Sequence, residues 1–328
     1  MTKPLLEIKN LKKQYPIYGP MGKMFRPKTH MNAVAGLSLE IHEKETYGLV
    51  GESGCGKSTT GRSIVKLVTP DEGEILYQGS DLLKLSNREY KPLCRDLQMI
   101  FQDSLSSMNP RQRIGQILEE PLIIHEMGDA DERRRQVMEI LTKVGLSEEY
   151  FFRYPHELSG GQVQRLGIAR ALIIKPKLII CDEPVSALDV SIQAQILNTL
   201  TSLQKEMDLS LLFISHDIGV VRYISKRIGV MYLGTLVEEA DTEELFANTL
   251  HPYTKALLAS VPDFSVAKKR EVVLKGEQPV RTDEFRGCVF HTRCPYATEK
   301  CKTEQPELRE IAPGHKAACH LCEGAGNA

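Results

Sequence analysis

The stretch Gly51-Glu52-Ser53-Gly54-Cys55-Gly56-Lys57-Ser58 narrows the folds open to this chain more than any other. Its three glycines let backbone N–H groups turn inward around an oxyanion. The flanks supply the context such a loop requires. Thr46-Tyr47-Gly48-Leu49-Val50 reads as a strand and Lys57 to Leu67 as a helix, so the loop ends on the positive pole of a helix. This is the P-loop pattern. It assigns Lys57 to the β- and γ-phosphates of a nucleoside triphosphate and Ser58 to Mg2+, with Glu52, Ser53, Cys55 and Thr59 completing the cradle. The motif implies a nucleotide without saying which enzyme.

A strand–loop–helix unit of this kind belongs in an α/β sheet, and the rest of the chain agrees. Leu37-Ser38-Leu39-Glu40-Ile41 alternates as a strand. The stretch from Gly19 to His30, with glycine, proline and basic residues, reads as a loop. Beyond residue 50, strands at Leu97 to Phe101, Leu178 to Cys181 and Leu209 to Ile214 alternate with helices. Asp131 to Val144 is amphipathic, and Ile196, Leu200, Leu203 and Met207 fall on one helical face. Such alternation predicts a mostly parallel sheet with right-handed crossovers. The pattern fades near residue 250, which divides the 328 residues into a large domain, 1–250, and a small irregular one, 251–328.

Charge and hydropathy exclude several classes. The net charge is −1, too small for a globally basic nucleic-acid binder. Residues 1–35 hold seven Lys/Arg against one acid, which reads as a solvated face. No signal peptide is expected from Leu5-Leu6-Glu7-Ile8, and no apolar run has the length of a membrane span.

Two further segments carry chemistry. Leu178-Ile179-Ile180-Cys181 ends in Asp182-Glu183, which delivers two carboxylates to the edge of the sheet where ligands sit. Asp182 is suited to hold Mg2+ through water, and Glu183 to orient or deprotonate an attacking water. Leu158-Ser159-Gly160-Gly161-Gln162 opens a helix that runs to about Ile174, a second anion-binding helix end far from the first in sequence.

With these motifs together, the chain resembles the ABC-type ATPases. The resemblance implies a RecA-like sheet with an antiparallel β subdomain and a helical subdomain at about 104–165. It also implies two subunits packed head to tail, so that Ser159, Gly160, Gly161 and Gln162 of one act on the ATP held by the other. Gln102 matches the family's Gln-loop, which contacts Mg2+ and water, and Asp103 to Pro121 would face the membrane partner. Ser186-Ala187-Leu188-Asp189 matches the loop that crosses between subunits, and His216 the switch histidine at the γ-phosphate. Tyr15 is the candidate for stacking on adenine, with Tyr18 as rival.

His251-Pro252-Tyr253-Thr254, Ala256-Leu257-Leu258 and Val261-Pro262 resemble the C-terminal extension of oligopeptide and dipeptide importer ATPases, and the chain looks more like their F-type subunit. That implies a D-type ATPase as partner, two permease subunits, an extracytoplasmic substrate-binding protein and a peripheral place at the cytoplasmic face of the membrane. Two other readings remain. A related importer for nickel or a sugar would look the same, because other subunits select the cargo. A soluble ATPase of this type acting on DNA or ribosomes usually carries two ATPase halves or a long coiled coil; this chain has one P-loop and no heptad run.

Five of the eight cysteines lie between Cys288 and Cys322. Cys288, Cys294, Cys301 and Cys319 are separated by five, six and seventeen residues. Clustered thiols in a tail with few apolar residues are expected to bind metal, Zn2+ or an iron–sulfur cluster, with free thiols as the remaining reading. The spacing lacks the paired knuckles usual for zinc. Similar tails in peptide-importer ATPases carry a 4Fe–4S cluster, which favours iron. Cys322 is the alternate fourth ligand, and His291, His315 and His320 are the nitrogen donors if zinc is bound.

Overall fold

The computed structural model describes residues 3–18, 27–259 and 276–323, so Val261-Pro262 and most of the loop before His30 lie outside the described residues. Its strands are β1 (Leu6–Ile17), β2 (Thr29–Ile41), β3 (Thr46–Val50), β4 (Glu72–Tyr77), β5 (Ser80–Asp81), β6 (Leu97–Ile100), β7 (Leu178–Asp182), β8 (Ser210–Ser215), β9 (Arg227–Tyr232), β10 (Thr235–Asp241), β11 (Arg309–Ala312) and β12 (His315–Ala317). Its helices are α1 (Lys57–Ile64), α2 (Asn87–Tyr90), α3 (Ile114–Ile124), α4 (Ala130–Lys143), α5 (Gly160–Leu172), α6 (Val190–Glu206), α7 (Ile218–Ile224), α8 (Thr242–Ala247), α9 (Pro252–Ala259) and α10 (Glu299–Thr303). The chain forms two units, one of Met1–Ile41, Thr46–Leu83 and Ser215–Ala328, the other of His42–Glu45 and Lys84–Ile214.

In the first unit β2, β1, β4 and β5 make an antiparallel sheet. Leu37, Leu39 and Ile41 are buried while Ser38 and Glu40 are exposed, the alternation that a sheet with one wet face imposes. β2 begins at Thr29, so His30 belongs to a strand and not to the expected loop. A second run places β3 parallel to β9, then β10, β12 and β11 antiparallel in turn. The sheet is therefore mixed, with antiparallel strands β10, β12 and β11 added beside the parallel ones. β9 and β10 are joined through Leu233 and Gly234, at φ +43° and +84°, the positive pair that a tight hairpin needs. Leucine is a poor marker of such a turn, which hid it in the sequence.

In the second unit β6, β7 and β8 run parallel, with Leu178 opposite both Leu97 and Ser210. All five residues of β7 are buried, as a strand covered on both faces requires. α4 starts where the Asp129 carboxylate accepts from the Glu132 N–H at 2.9 Å, and it buries Val137, Ile140 and Leu141. α6 buries Ile196, Leu200 and Leu203 on the face its spacing predicts. Among the described residues, no helix is long and apolar enough to cross a membrane.

Candidate functional site

The P-loop lies wholly in the first unit, between β3 and α1. Gly56 caps α1 at φ +107°, and a Cβ there would lie 2.1 Å from the Ala33 carbonyl oxygen. A Cβ on Gly51 would lie equally close, 2.1 Å, to the Met231 oxygen. Neither position admits a side chain. Ser53 and Gly54 are exposed at the tip, Ser58 and Thr59 are half-buried at the start of α1, and Lys57 is only 3% exposed. The Lys57 ammonium donates to the Gly51 and Glu52 carbonyl oxygens at 2.6 and 3.0 Å, so it points back across the loop it closes. Burial raises the pKa of the Cys55 thiol.

Two contacts on this loop left no mark in the sequence. The Tyr253 hydroxyl accepts the Glu52 backbone N–H at 2.8 Å. The Glu52 carboxylate takes two hydrogen bonds from Arg293, at 2.6 and 3.1 Å. Tyr253 stands inside a motif quoted above for its family likeness; Arg293 had no signal at all.

Tyr15 sits near the end of β1, opposite Met31 of β2 and half-buried, with Lys13 Nζ 5.6 Å from its ring centroid. Tyr18 lies just past β1. His216 follows β8 and is exposed, beside Asp217, whose carboxylate caps α7 through the N–H groups of Gly219 and Val220.

The second unit carries the acidic and signature residues. Asp182 ends β7 at 1% exposed. Glu183 follows at φ +48°, a left-handed conformation uncommon for such a residue, held by its N–H to the Ile214 oxygen at 3.0 Å. The Gln102 amide donates to the Glu183 carboxylate at 3.3 Å and to the Ser186 hydroxyl at 3.4 Å. Gln102 thus meets Glu183 and Ser186, 81 and 84 residues away, at the end of β7. Ser159 is the N-cap of α5, where its N–H donates to the Gln162 side chain at 2.9 Å. Gln162 in turn donates to the Tyr150 hydroxyl at 2.7 Å. Ser159 and Gly160 are exposed, while a Cβ on Gly161 would lie 2.7 Å from the Ile192 side chain.

In the tail, Cys288, Cys301, Cys319 and Cys322 are buried and Cys294 is partly so. Burial, then the neighbouring charges of Cys301, Cys319 and Cys294, push the Cys288 thiol up to about 11. The same logic raises Cys294, with Cys319 and Cys301 as its neighbours. Cys319 and Cys322 share a hydrogen bond that lowers the pKa of Cys322. Among the described residues, no three His, Cys, Asp or Glu side chains form a ready-made metal group. His315 is taken by Glu238 at 2.9 Å, and His320 by Glu323 at 2.8 Å.

The comparisons with known proteins agree with this architecture. The family described as ABC transporter matches residues 34–186, and the family described as oligopeptide/dipeptide transporter, C-terminal region, matches residues 237–301. The chain is 50% identical to the oligopeptide transport ATP-binding protein AppF of Bacillus subtilis, over 97% of each chain. It is 49% identical to OppF of Escherichia coli, covering 97% of this chain and 96% of that one. It is 46% identical to the dipeptide transport protein DppF of Haemophilus influenzae, over 96% of each. A dimeric ATP-binding cassette solved in a post-hydrolysis state with ADP and phosphate superposes with a TM-score of 0.63 at 31% identity, covering 72% of this chain and 98% of that one. The chain belongs to the ATP-binding proteins of ABC-type oligopeptide and dipeptide transporters.

Proposed function

We propose that this chain hydrolyses ATP to energise the import of oligopeptides or dipeptides. The observation that carries the reading is the meeting of Gln102, Glu183 and Ser186 at the end of β7, in a chain half identical over nearly its full length to oligopeptide transport ATP-binding proteins. Residues 1–250 are the nucleotide-binding domain and 251–328 the extension. Lys57 and the P-loop amides hold the phosphates, Tyr15 the adenine, and Ser58, Gln102 and Asp182 the Mg2+. Glu183 positions water, His216 contacts the γ-phosphate, and Ser159 to Gln162 serve the ATP of a D-type partner. The pair works peripherally at the cytoplasmic face of the membrane, beneath two permeases fed by a substrate-binding protein, and no nucleic acid is involved. In the assembled transporter, Glu183→Gln is expected to keep ATP binding and to lower hydrolysis and uptake by at least about a hundredfold. Near-normal turnover would refute the assignment.

We propose the tail cysteines as the ligands of a 4Fe–4S cluster, with zinc as the alternative. Supporting this, Cys301 and Cys319 are near enough to raise the thiols of both Cys288 and Cys294, and Cys288, Cys301 and Cys319 are under a tenth exposed. Bound there, a cluster would supply a covalent brace for a segment with few apolar residues. Protein purified without oxygen is expected to be brown, with about four irons per chain. Colourless protein with stoichiometric zinc would overturn the choice.

A further inference from the structure

The C-terminal extension reaches back to the P-loop at Glu52 and grips it twice. Tyr253 on α9 accepts its backbone N–H at 2.8 Å. Arg293, 241 residues away in sequence, binds its carboxylate through both guanidinium nitrogens, at 2.6 and 3.1 Å. The Arg293 side chain is 6% exposed and Glu52 27%, so the pair is shielded on one side only. Its frame is rigid: the rings of Tyr232, Tyr253 and Phe290 pack with centroids 4.6 to 5.5 Å apart. The same extension also braces the hairpin that bears Tyr15. Thr282 bridges Met31, the residue opposite Tyr15, and the Asn32 N–H donates to the Arg281 oxygen at 2.8 Å.

We infer that Arg293 is a positioning residue for nucleotide binding, acting through Glu52, and that the extension thereby sets the ATP affinity of its own subunit. Two physical effects combine. A glycine-rich loop loses much conformational freedom when its amides converge on phosphate, and a residue pinned at backbone and side chain has already lost part of it. Glu52 is also an anion in a loop that must accept an anion. Arg293 neutralises it with a geometry that a carboxylate fits in two places at once. The N–H of Glu52 is committed to Tyr253, so Glu52 serves the loop through its placement.

The inference rests on the P-loop reading, and the test separates the two. ATP binding by the full-length chain, and KM and kcat of the assembled transporter, are measured for Arg293→Ala, Arg293→Lys, Glu52→Gln and the Arg293→Ala/Glu52→Gln double variant. Arg293→Ala is expected to raise the Kd and KM for ATP about tenfold, with kcat within about twofold, because it leaves a bare carboxylate in the loop. Arg293→Lys restores part of the affinity. The double variant binds ATP more tightly than Arg293→Ala alone, since the stranded charge is gone. A role in stability alone would lower the melting temperature and leave KM unmoved, and that result overturns the inference. So does a double variant no better than Arg293→Ala. If Arg293→Ala does not fold, Arg293→Lys, which keeps the charge but only one of the two bonds, must raise KM for ATP; an unchanged value overturns the inference. Lys57→Ala serves as the control: if it retains full ATP affinity, the P-loop reading fails and the inference falls with it.

Discussion

Glu183 shows what a single residue can store. At φ +48° it occupies a conformation that costs a side-chain-bearing residue of order 1–3 kcal/mol, and such positions gather at functional sites. The hydrogen bond from its N–H to Ile214 and the contact of its carboxylate with Gln102 hold it there. Glutamine is the right replacement for that reason. It keeps the backbone bond and the side-chain volume, so the melting temperature is expected to stay within about a degree while the base is lost; a large drop would mean that the hydrolysis assay had measured unfolding instead. The loop glycines, the carboxylates and the signature were legible in the sequence because each residue type there has a narrow physical use. Gly56, with a carbonyl oxygen 2.1 Å from where its Cβ would be, is the plainest case. Tyr253 and Arg293 were not legible as partners of Glu52. A tyrosine or arginine has many uses, and contacts across 201 and 241 residues leave no local pattern.

At the scale of elements, β10 carries two acids into the interior, Glu238 at 0% and Glu239 at 3% exposed. Buried carboxylates need partners. Glu238 accepts from the Leu250 and His251 N–H groups at 2.6 and 3.1 Å and binds His315 of β12 at 2.9 Å. Glu239 meets Lys316 at 3.1 Å and the Tyr47 hydroxyl at 3.2 Å. These pairs tie the tail to the strand, and two histidines at this junction, His315 and His251, carry opposite pH dependences. The hydrogen bond to Glu238, helped by Glu244 and opposed by burial, raises His315 above its ordinary 6.5. Its stabilisation is full below that value and is lost as pH climbs through the raised pKa. Burial drives His251 down to about 4, with Glu238 opposing and Lys255 adding to the shift. Above 6.5 the ring is neutral in both states; as pH falls from 6.5 toward 4 the unfolded chain takes up the proton first, and stability drops by about 3 kcal/mol. Relative to the unaltered protein, His251→Gln should flatten the acid limb of the melting profile and His315→Gln the alkaline limb. Limbs that respond to neither variant would contradict this account. The sequence showed α1, α4, α5 and α6 and the strands β3, β6, β7 and β8 to within a few residues, because period and burial speak there. It did not show β9 and β10, or β11 and β12, strands of four and three residues too short to carry a period, of which β12 pairs with β10.

At the scale of the molecule, the residues proposed for ATP binding and hydrolysis belong to two units, the P-loop, Tyr15 and His216 to one, and Gln102, Glu183 and the Ser159 signature to the other. The signature has features that suit it to serve a second subunit. Ser159 and Gly160 are exposed at the N-terminus of the thirteen-residue helix α5, where unpaired N–H groups favour an anion. The side chain of Gln162 is already engaged by the Ser159 N–H and Tyr150, which holds that helix end in place without a ligand. If this end acts on the partner's ATP, Ser159→Arg should leave ATP binding by the isolated chain unchanged, because its own P-loop is intact. In the assembled transporter the same change places a bulky side chain where the partner's γ-phosphate must dock. Hydrolysis at the partner's site is then expected to fall about a hundredfold, the scale of losing one aligned donor to a reacting oxyanion. The measurement pairs Ser159→Arg here with a partner subunit whose own signature is intact, and then reverses the arrangement. If Ser159→Arg weakens ATP binding by the isolated chain, or leaves hydrolysis by the assembled pair unaltered, the signature does not act across the subunit boundary.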